Sequence, residues 1–232
     1  MAGKHGASLF TTLSAAFSAQ IAHLCKVEKV VLAIPAAGQL ADGLERVVGQ
    51  CTQWLPVQLS TGDTLTGNEL LQRAQAAILD AFDHLDCDVD SLVQSIHEAA
   101  AAAAKIGFNL DPDPNNTLTR FDPLTANLSA AVSVPLPMEL FLNATTNSDG
   151  IEFECRYDPS LFDAAKIELW LEMYIAFLRR FAANPSWSIT ELAAHPDDEL
   201  ARISAWNETA VAAYCESCVQ ELFEAQAALA PA

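Results

Sequence analysis

Two short stretches gather the side chains best suited to chemistry. Near the C-terminus, Cys215 and Cys218 form a Cys-x-x-Cys pair, and mid-chain Asp83-His84-Leu85-Asp86 is followed by Asp88 and Asp90. Two thiolates are half of a closed zinc site, which takes four ligands, and no second pair of cysteines or histidines follows. At helical spacing the two thiols simply share one side of a turn. A carboxylate beside His84 raises the basicity of its imidazole, the requirement for a general base; the same cluster also suits a solvated helix end. The other histidines, His5, His23, His97 and His195, are scattered singly. There is no Gly-x-Ser-x-Gly elbow, no phosphate-cradling glycine loop and no His-Glu-x-x-His. Local chemistry therefore assigns no catalytic and no metal-binding residue.

The chain that must position these groups has 232 residues and a formal charge of -18, with acid outweighing base most strongly after residue 110. It is long enough to bury a core. The charge opposes nucleic-acid binding, and no run of about 18 uncharged apolar residues suggests a membrane span. Six cysteines, at 25, 51, 87, 155, 215 and 218, admit a disulfide-bonded secreted protein. Against that, Thr11, Thr12, Ser14 and Ser18 break the apolar stretch that a signal peptide would need after Lys4 and His5. Leu9, Leu13, Phe17, Ile21 and Leu24 instead recur as one face of an amphipathic helix over 8–24. The reading is a reduced, cytoplasmic protein.

Val30-Val-Leu-Ala-Ile34, stopped by Pro35, reads as a buried strand, and Trp54–Leu59 as another, with Pro56 marking an edge or bulge. Thr66-Gly-Asn-Glu69 has capping-box spacing and opens a helix with Leu70, Leu71, Ala74, Ile78, Phe82 and Leu85 on one face. The alanine run 99–104 favours helix but offers no reactive group. Ile106–Leu110 reads as a strand and Asp111–Asn116 as a loop. Met138–Asn143 and Ile151–Tyr157 form a hairpin through Ser148-Asp-Gly150, with Ile151, Phe153, Cys155 and Tyr157 on one face and Glu152, Glu154 and Arg156 on the other. Asp163 is placed to N-cap a long helix bearing Ile167, Trp170, Leu171, Tyr174, Phe177, Leu178 and Phe181, with Arg179 and Arg180 at its C-terminal end. This order predicts an α/β layer fold.

In sequence order these segments resemble the second half of condensation domains of nonribosomal peptide synthetases. Lys4-His-Gly-Ala-Ser-Leu-Phe10 is similar to the family's "HGxTLF" helix, and Val30–Pro35 to its "DIVVGTP" strand. Val48–Gln58 resembles "IGxFVNTLVLR", and His84-Leu-Asp86 falls on "HQDxPFE". Phe108-Asn-Leu-Asp111 is similar to an "FNLD" strand, and Met138–Asp163 to the family's hairpin and helix start. Trp206-Asn-Glu-Thr-Ala and Glu221-Leu-Phe-Glu-Ala-Gln226 resemble the tether between condensation and adenylation domains, which makes the thiol pair incidental.

The resemblance implies a chloramphenicol acetyltransferase-like lobe, a mixed sheet flanked by helices that forms one half of a pseudo-dimer. Residues 1–203 would be the C-terminal lobe, and 204–232 a linker toward an adenylation domain, with Leu222, Phe223 and Ala227 docking on that neighbour. Carrier proteins would deliver phosphopantetheine thioesters into a channel between the lobes for amide formation; the chain itself would bind no cofactor directly. Partners implied are the N-terminal lobe, peptidyl carrier proteins and the adenylation domain. The His-His-x-x-x-Asp-Gly motif is absent, so the resemblance places the catalytic histidine in a lobe preceding Met1. Gln53, Trp54, His84 and Asp86 become candidates for the channel or lobe interface. Gln53 and Trp54 stand where the family has asparagine and threonine, Gln58 replaces an arginine, and the alanine run falls on "RDxSRxPL". These departures motivate the alternative of a non-catalytic carrier-docking or scaffold domain.

Overall fold

A computed structural model of the chain describes residues 7–37, 46–49, 51–62, 64–85, 105–113, 138–193, 197–209 and 218–229. It divides into two units, Met1–Ala194 and His195–Ala232. The first holds strands β1 (Lys29–Ala37), β2 (Thr52–Ser60), β3 (Ile106–Asp111), β4 (Leu140–Asn147) and β5 (Gly150–Tyr157). Its helices are α1 (Leu9–Cys25), α2 (Gly67–Phe82), α3 (Ala164–Ala183) and the single turn α4 (Ile189–Leu192). The alanine run, Asp86, Cys87 and Cys215 lie outside the described residues.

The strands form one mixed sheet in the order β2-β1-β3-β4-β5. The β1–β2 and β4–β5 pairs are antiparallel, and β1–β3 and β3–β4 are parallel. This is the α/β class expected from the sequence. The strand at 30–34 does not stop at Pro35 but runs to Ala37. The register explains how: Ala33 faces Pro56 and Pro35 faces Trp54, two pairs of the same parity. A proline donates no ladder bond, so these must be the pairs that exchange none, and their neighbours keep the ladder. Pro56 accordingly sits on an edge strand, as expected.

Alternation sorts the side chains. Leu32, Ile34, Val57, Leu59, Phe108, Leu140 and Leu142 point to one face, where they join Phe17, Leu70, Leu71, Tyr174, Phe177 and Phe181 of the helices in the core. Helix α1 departs from the amphipathic expectation, because every residue from Thr11 to Ala22 is buried. Three of its buried hydroxyls are accommodated by backbone carbonyls one turn back. Thr12 donates to the Ser8 carbonyl at 3.0 Å, Ser14 to Phe10 at 2.8 Å and Ser18 to Ser14 at 2.9 Å. Tyr174 of α3 reaches across to donate to the Leu13 carbonyl at 2.9 Å, and burial pushes its hydroxyl pKa well up.

The capping box at α2 forms as read. Thr66 Oγ1 accepts from the Glu69 N–H at 3.3 Å, and Glu69 Oε2 accepts from the Thr66 N–H at 2.9 Å. A second box, Ser188 with Glu191, opens α4 and lies beside it through a Thr66–Ser188 bridge. Hydrogen bonding to the cap lowers both carboxyl pKa values. Gly67 is required here, since an added Cβ would stand 2.5 Å from the Phe181 ring and 2.9 Å from the Pro185 carbonyl. Asp163 does occupy the N-cap of α3, but its carboxylate makes no capping bond and stays exposed in solvent.

The second unit contains α5 (Asp197–Trp206) and α6 (Val219–Leu229). In α5 the Arg202 guanidinium lies 5.3 Å from the Trp206 ring centroid. In α6 the Glu221 carboxylate accepts the Cys218 N–H at 3.0 Å, while Val219, Leu222, Phe223 and Leu229 are all exposed. No described helix is long and apolar enough to cross a membrane. Among the described cysteines, Cys25, Cys51, Cys155 and Cys218 are free thiols.

Candidate functional site

The helices of the first unit crowd one face of the sheet, and alternation fixes what the opposite face presents. From the edge inward it carries Trp54, Pro56 and Gln58 of β2, then Val31, Ala33 and Pro35 of β1. Gly107, Asn109 and Asp111 follow on β3, and Phe141, Asn143 and Thr145 on β4. Glu152, Glu154 and Arg156 complete it on β5. Among the described residues no helix of this unit packs on that face.

Two features stand side by side there. The first is aromatic: Trp54 and Phe141 meet edge to face, with centroids 5.9 Å apart and planes at 87°. They come from strands separated by β1 and β3, so the contact needs a gap between them. Gly107 supplies it, as a Cβ there would lie 2.5 Å from Met138 Sδ and 2.6 Å from the Phe141 ring. The second is a polar cluster one strand repeat along. Asn109 Nδ2 donates to Asp111 Oδ1 and to Asn143 Oδ1, both at 2.9 Å. Asn143 Nδ2 donates to Asp111 Oδ2 at 3.0 Å. Each oxygen of the exposed Asp111 carboxylate is thereby fixed by one amide, leaving further lone pairs directed outward. On β5, Arg156 Nε pairs with Glu154 Oε1 at 2.6 Å.

The residues singled out from the sequence do not converge. Trp54 lies on this open face and is half-buried, its ring resting on Phe141 rather than in the helical core. Gln53 is its neighbour in an alternating strand and points to the helix-covered side, opposite Ala36, where it is exposed at the strand end. A single wall cannot contain both side chains. His84 follows α2, on the helical side of the sheet, and its Nδ1 donates to the Asp80 carbonyl at 2.7 Å. Asp86 lies outside the described residues. The sequence reading passed over Asn109, Asp111, Phe141 and Asn143. The alternation of Phe108 and Leu110 with Asn109 and Asp111 was the signal that could have found them.

Comparison with known proteins fits this architecture. The family model of the condensation domain matches residues 1–204. Bacitracin synthase 1 of Bacillus licheniformis is 23% identical over 235 residues, covering 100% of this chain and 4% of that protein. A probable non-canonical nonribosomal peptide synthetase, CymA, of Salinispora arenicola is 30% identical over 241 residues, covering 100% of this chain and 3% of its own length. The chain thus spans only a small part of the curated relatives it matches. Among solved structures, the condensation domain of the monacolin K polyketide synthase MokA superposes with a TM-score of 0.70 at 15% identity, over 81% of this chain and 44% of the other. The X-domain from teicoplanin biosynthesis gives 0.69 at 18% identity, over 82% and 44%. With the family model spanning most of its length and the same mixed-sheet fold in those structures, this chain belongs to the condensation-domain family.

Proposed function

We propose that this chain is the C-terminal lobe of a nonribosomal peptide synthetase condensation domain, and that the open face of its sheet forms one wall of the acyl-transfer channel. The observation that carries the reading is the sidedness of the sheet. All the described helices of the first unit lie on one face, while the other carries half-buried Trp54 against buried Phe141, beside a fixed carboxylate. The match to 44% of the MokA condensation domain and 44% of the teicoplanin X-domain supports assignment to a single lobe. Residues 1–203 would make the lobe and 204–232 the linker toward an adenylation domain; the family match ending at 204 and the exposed apolar side of α6 support that division.

In the proposed reaction a carrier-bound acyl or peptidyl thioester meets an acceptor amine tethered to a second carrier. The amine nitrogen attacks the thioester carbonyl, the C–N bond forms, the C–S bond breaks, and the proton lost by the amine ends on the departing pantetheine thiol. The 232 residues contain no His-His-x-x-x-Asp-Gly, so the proton-handling imidazole is assigned to the N-terminal lobe. This lobe supplies shape. Trp54, backed by the buried Phe141, excludes water along the apolar part of a phosphopantetheine arm, and Asp111 accepts hydrogen bonds from an amide or amine N–H. Of the sequence candidates, Trp54 is retained for the wall, and Gln53 and His84 are left for contacts elsewhere on the lobe, at its interface with the N-terminal partner; Asp86 lies outside the described residues. Orientation of this kind lowers the barrier without any group on the wall changing protonation.

The test is to join this chain to an N-terminal lobe carrying the histidine motif and to assay transfer between loaded carrier proteins. Amide product that depends on both lobes is expected. A folded pair that forms none would favour the second reading, a non-catalytic docking platform. That reading draws on the X-domain of teicoplanin biosynthesis, a structural neighbour solved in complex with OxyB, and on the Gln53 and Trp54 departures.

A further inference from the structure

Helices α2 and α4 begin side by side, and each completes the other's first turn. The first four N–H groups of a helix have no partner inside it. In α2 the capping box takes two of them, Thr66 N–H on Glu69 Oε2 and Glu69 N–H on Thr66 Oγ1. The other two bond outside the helix. Gly67 N–H donates to the Trp187 carbonyl at 2.9 Å, and Asn68 N–H to the Pro185 carbonyl at 2.8 Å. In the opposite direction the Leu65 carbonyl accepts the Ile189 N–H, the first of α4, at 2.8 Å. Ser188 and Glu191 repeat the box there, with Ser188 N–H on Glu191 Oε2 at 2.8 Å.

Gly67 permits the approach, since any side chain there would strike the Phe181 ring and the Pro185 carbonyl. Beneath these bonds Leu70, Phe181, Ile189 and Leu192 are buried together in the core. The segment held this way follows α3 and leads to Ala193, the last buried residue before the second unit begins at His195. We infer that the two capping boxes form one clasp, a conformational anchor that ties the chain's exit from the lobe to the start of α2. Losing either box frays the turn that carries the cross-bonds, so the two open together rather than one at a time. Displacement of the chain beyond Ala193 is resisted at α2 and is not passed back along α3. The anchor does not depend on the role proposed for the open sheet face.

Amide hydrogen exchange on the whole chain is the test. In the wild type, Gly67, Asn68 and Ile189 should share one high level of protection. Thr66→Ala should speed exchange at Ile189, across the clasp, by about fivefold or more, the factor expected for a lost cap. Ser188→Ala should do the same at Gly67 and Asn68. Thr66→Ser keeps the capping oxygen and should leave all three protected. The double alanine variant should add little to either single one. Faster exchange confined to the helix whose box was removed would overturn the inference, and so would fully additive effects in the double variant. If Thr66→Ala does not fold, Ser188→Ala read at Gly67 and Asn68 gives the answer from the other side.

Discussion

Trp54 and Phe141 touch edge to face across the width of two intervening strands, because Gly107 leaves the space between them open. The contact joins the β2 edge to the parallel half of the sheet on the face no described helix of the first unit covers. Aromatic pairs of this geometry contribute about 0.5–1.5 kcal/mol beyond the area they bury. Trp54→Ala is therefore expected to lower stability by about 1–2 kcal/mol, read from denaturant midpoints, and to reduce amide transfer by the two-lobed domain. Loss of stability with unchanged transfer would leave Trp54 a packing residue only.

Gly107 gives a sharper case. Gly107→Ala places a methyl against Met138 and Phe141, and overpacking of this kind costs about 1–3 kcal/mol. The double variant Gly107→Ala with Phe141→Leu should recover part of that loss. Equal destabilisation in the single and double variants would show that the ring is not what the methyl meets.

Asp111 is held on both oxygens by Asn109 and Asn143, so removing the carboxylate should alter substrate handling more than folding. Hydrogen bonds to a charged group contribute about 1.5–3 kcal/mol. For Asp111→Ala, loss of one such contact in the transition state predicts roughly a tenfold or greater fall in kcat/KM. Asp111→Asn keeps an acceptor oxygen and should fall less. Identical losses in the two variants would count against a hydrogen-bonding role.

The thiols offer a pH test. Burial holds Cys155 at about 11, against an ordinary thiol value of 9.0. A group whose folded pKa is raised contributes stability that is complete below its unfolded value and is lost as pH rises toward the folded one. Stability should therefore decline between pH 9.0 and about 11, and Cys155→Ser, which cannot form the thiolate, should flatten that decline. At about pH 8 the exposed Cys25 and Cys218 should react with a disulfide reagent well before Cys155. Rapid labelling of Cys155 in the folded chain would contradict the burial argument.

Much of this fold was legible in the sequence because its signals were local. The Thr66–Glu69 capping box, the alternating arm from Ile151 to Tyr157 and the long α3 stripe each follow from spacing within a few residues. What escaped needed long-range information. Pro35 looked like a stop because only the register with Trp54 shows that its missing N–H costs no ladder bond. Ser14 and Ser18 break the apolar run in the sequence yet are buried, because back-bonding to the helix leaves no trace in hydropathy. The site was the least legible part. Asn109 and Asn143 lie 34 residues apart and are joined only by a parallel strand pairing that no local pattern reports. Gln53 and Trp54 were grouped as neighbours in a motif, while strand alternation sends them to opposite faces.

The measurement closest to the central claim is photo-cross-linking in the intact two-lobed domain, with a benzophenone side chain placed at position 54 or at position 53. A carrier protein bearing a non-hydrolysable pantetheine conjugate serves as the probe. Capture of the pantetheine arm from position 54 and not from 53 is the expected result. Capture from position 53 alone, or from both equally, would contradict the assignment of the open sheet face as the channel wall.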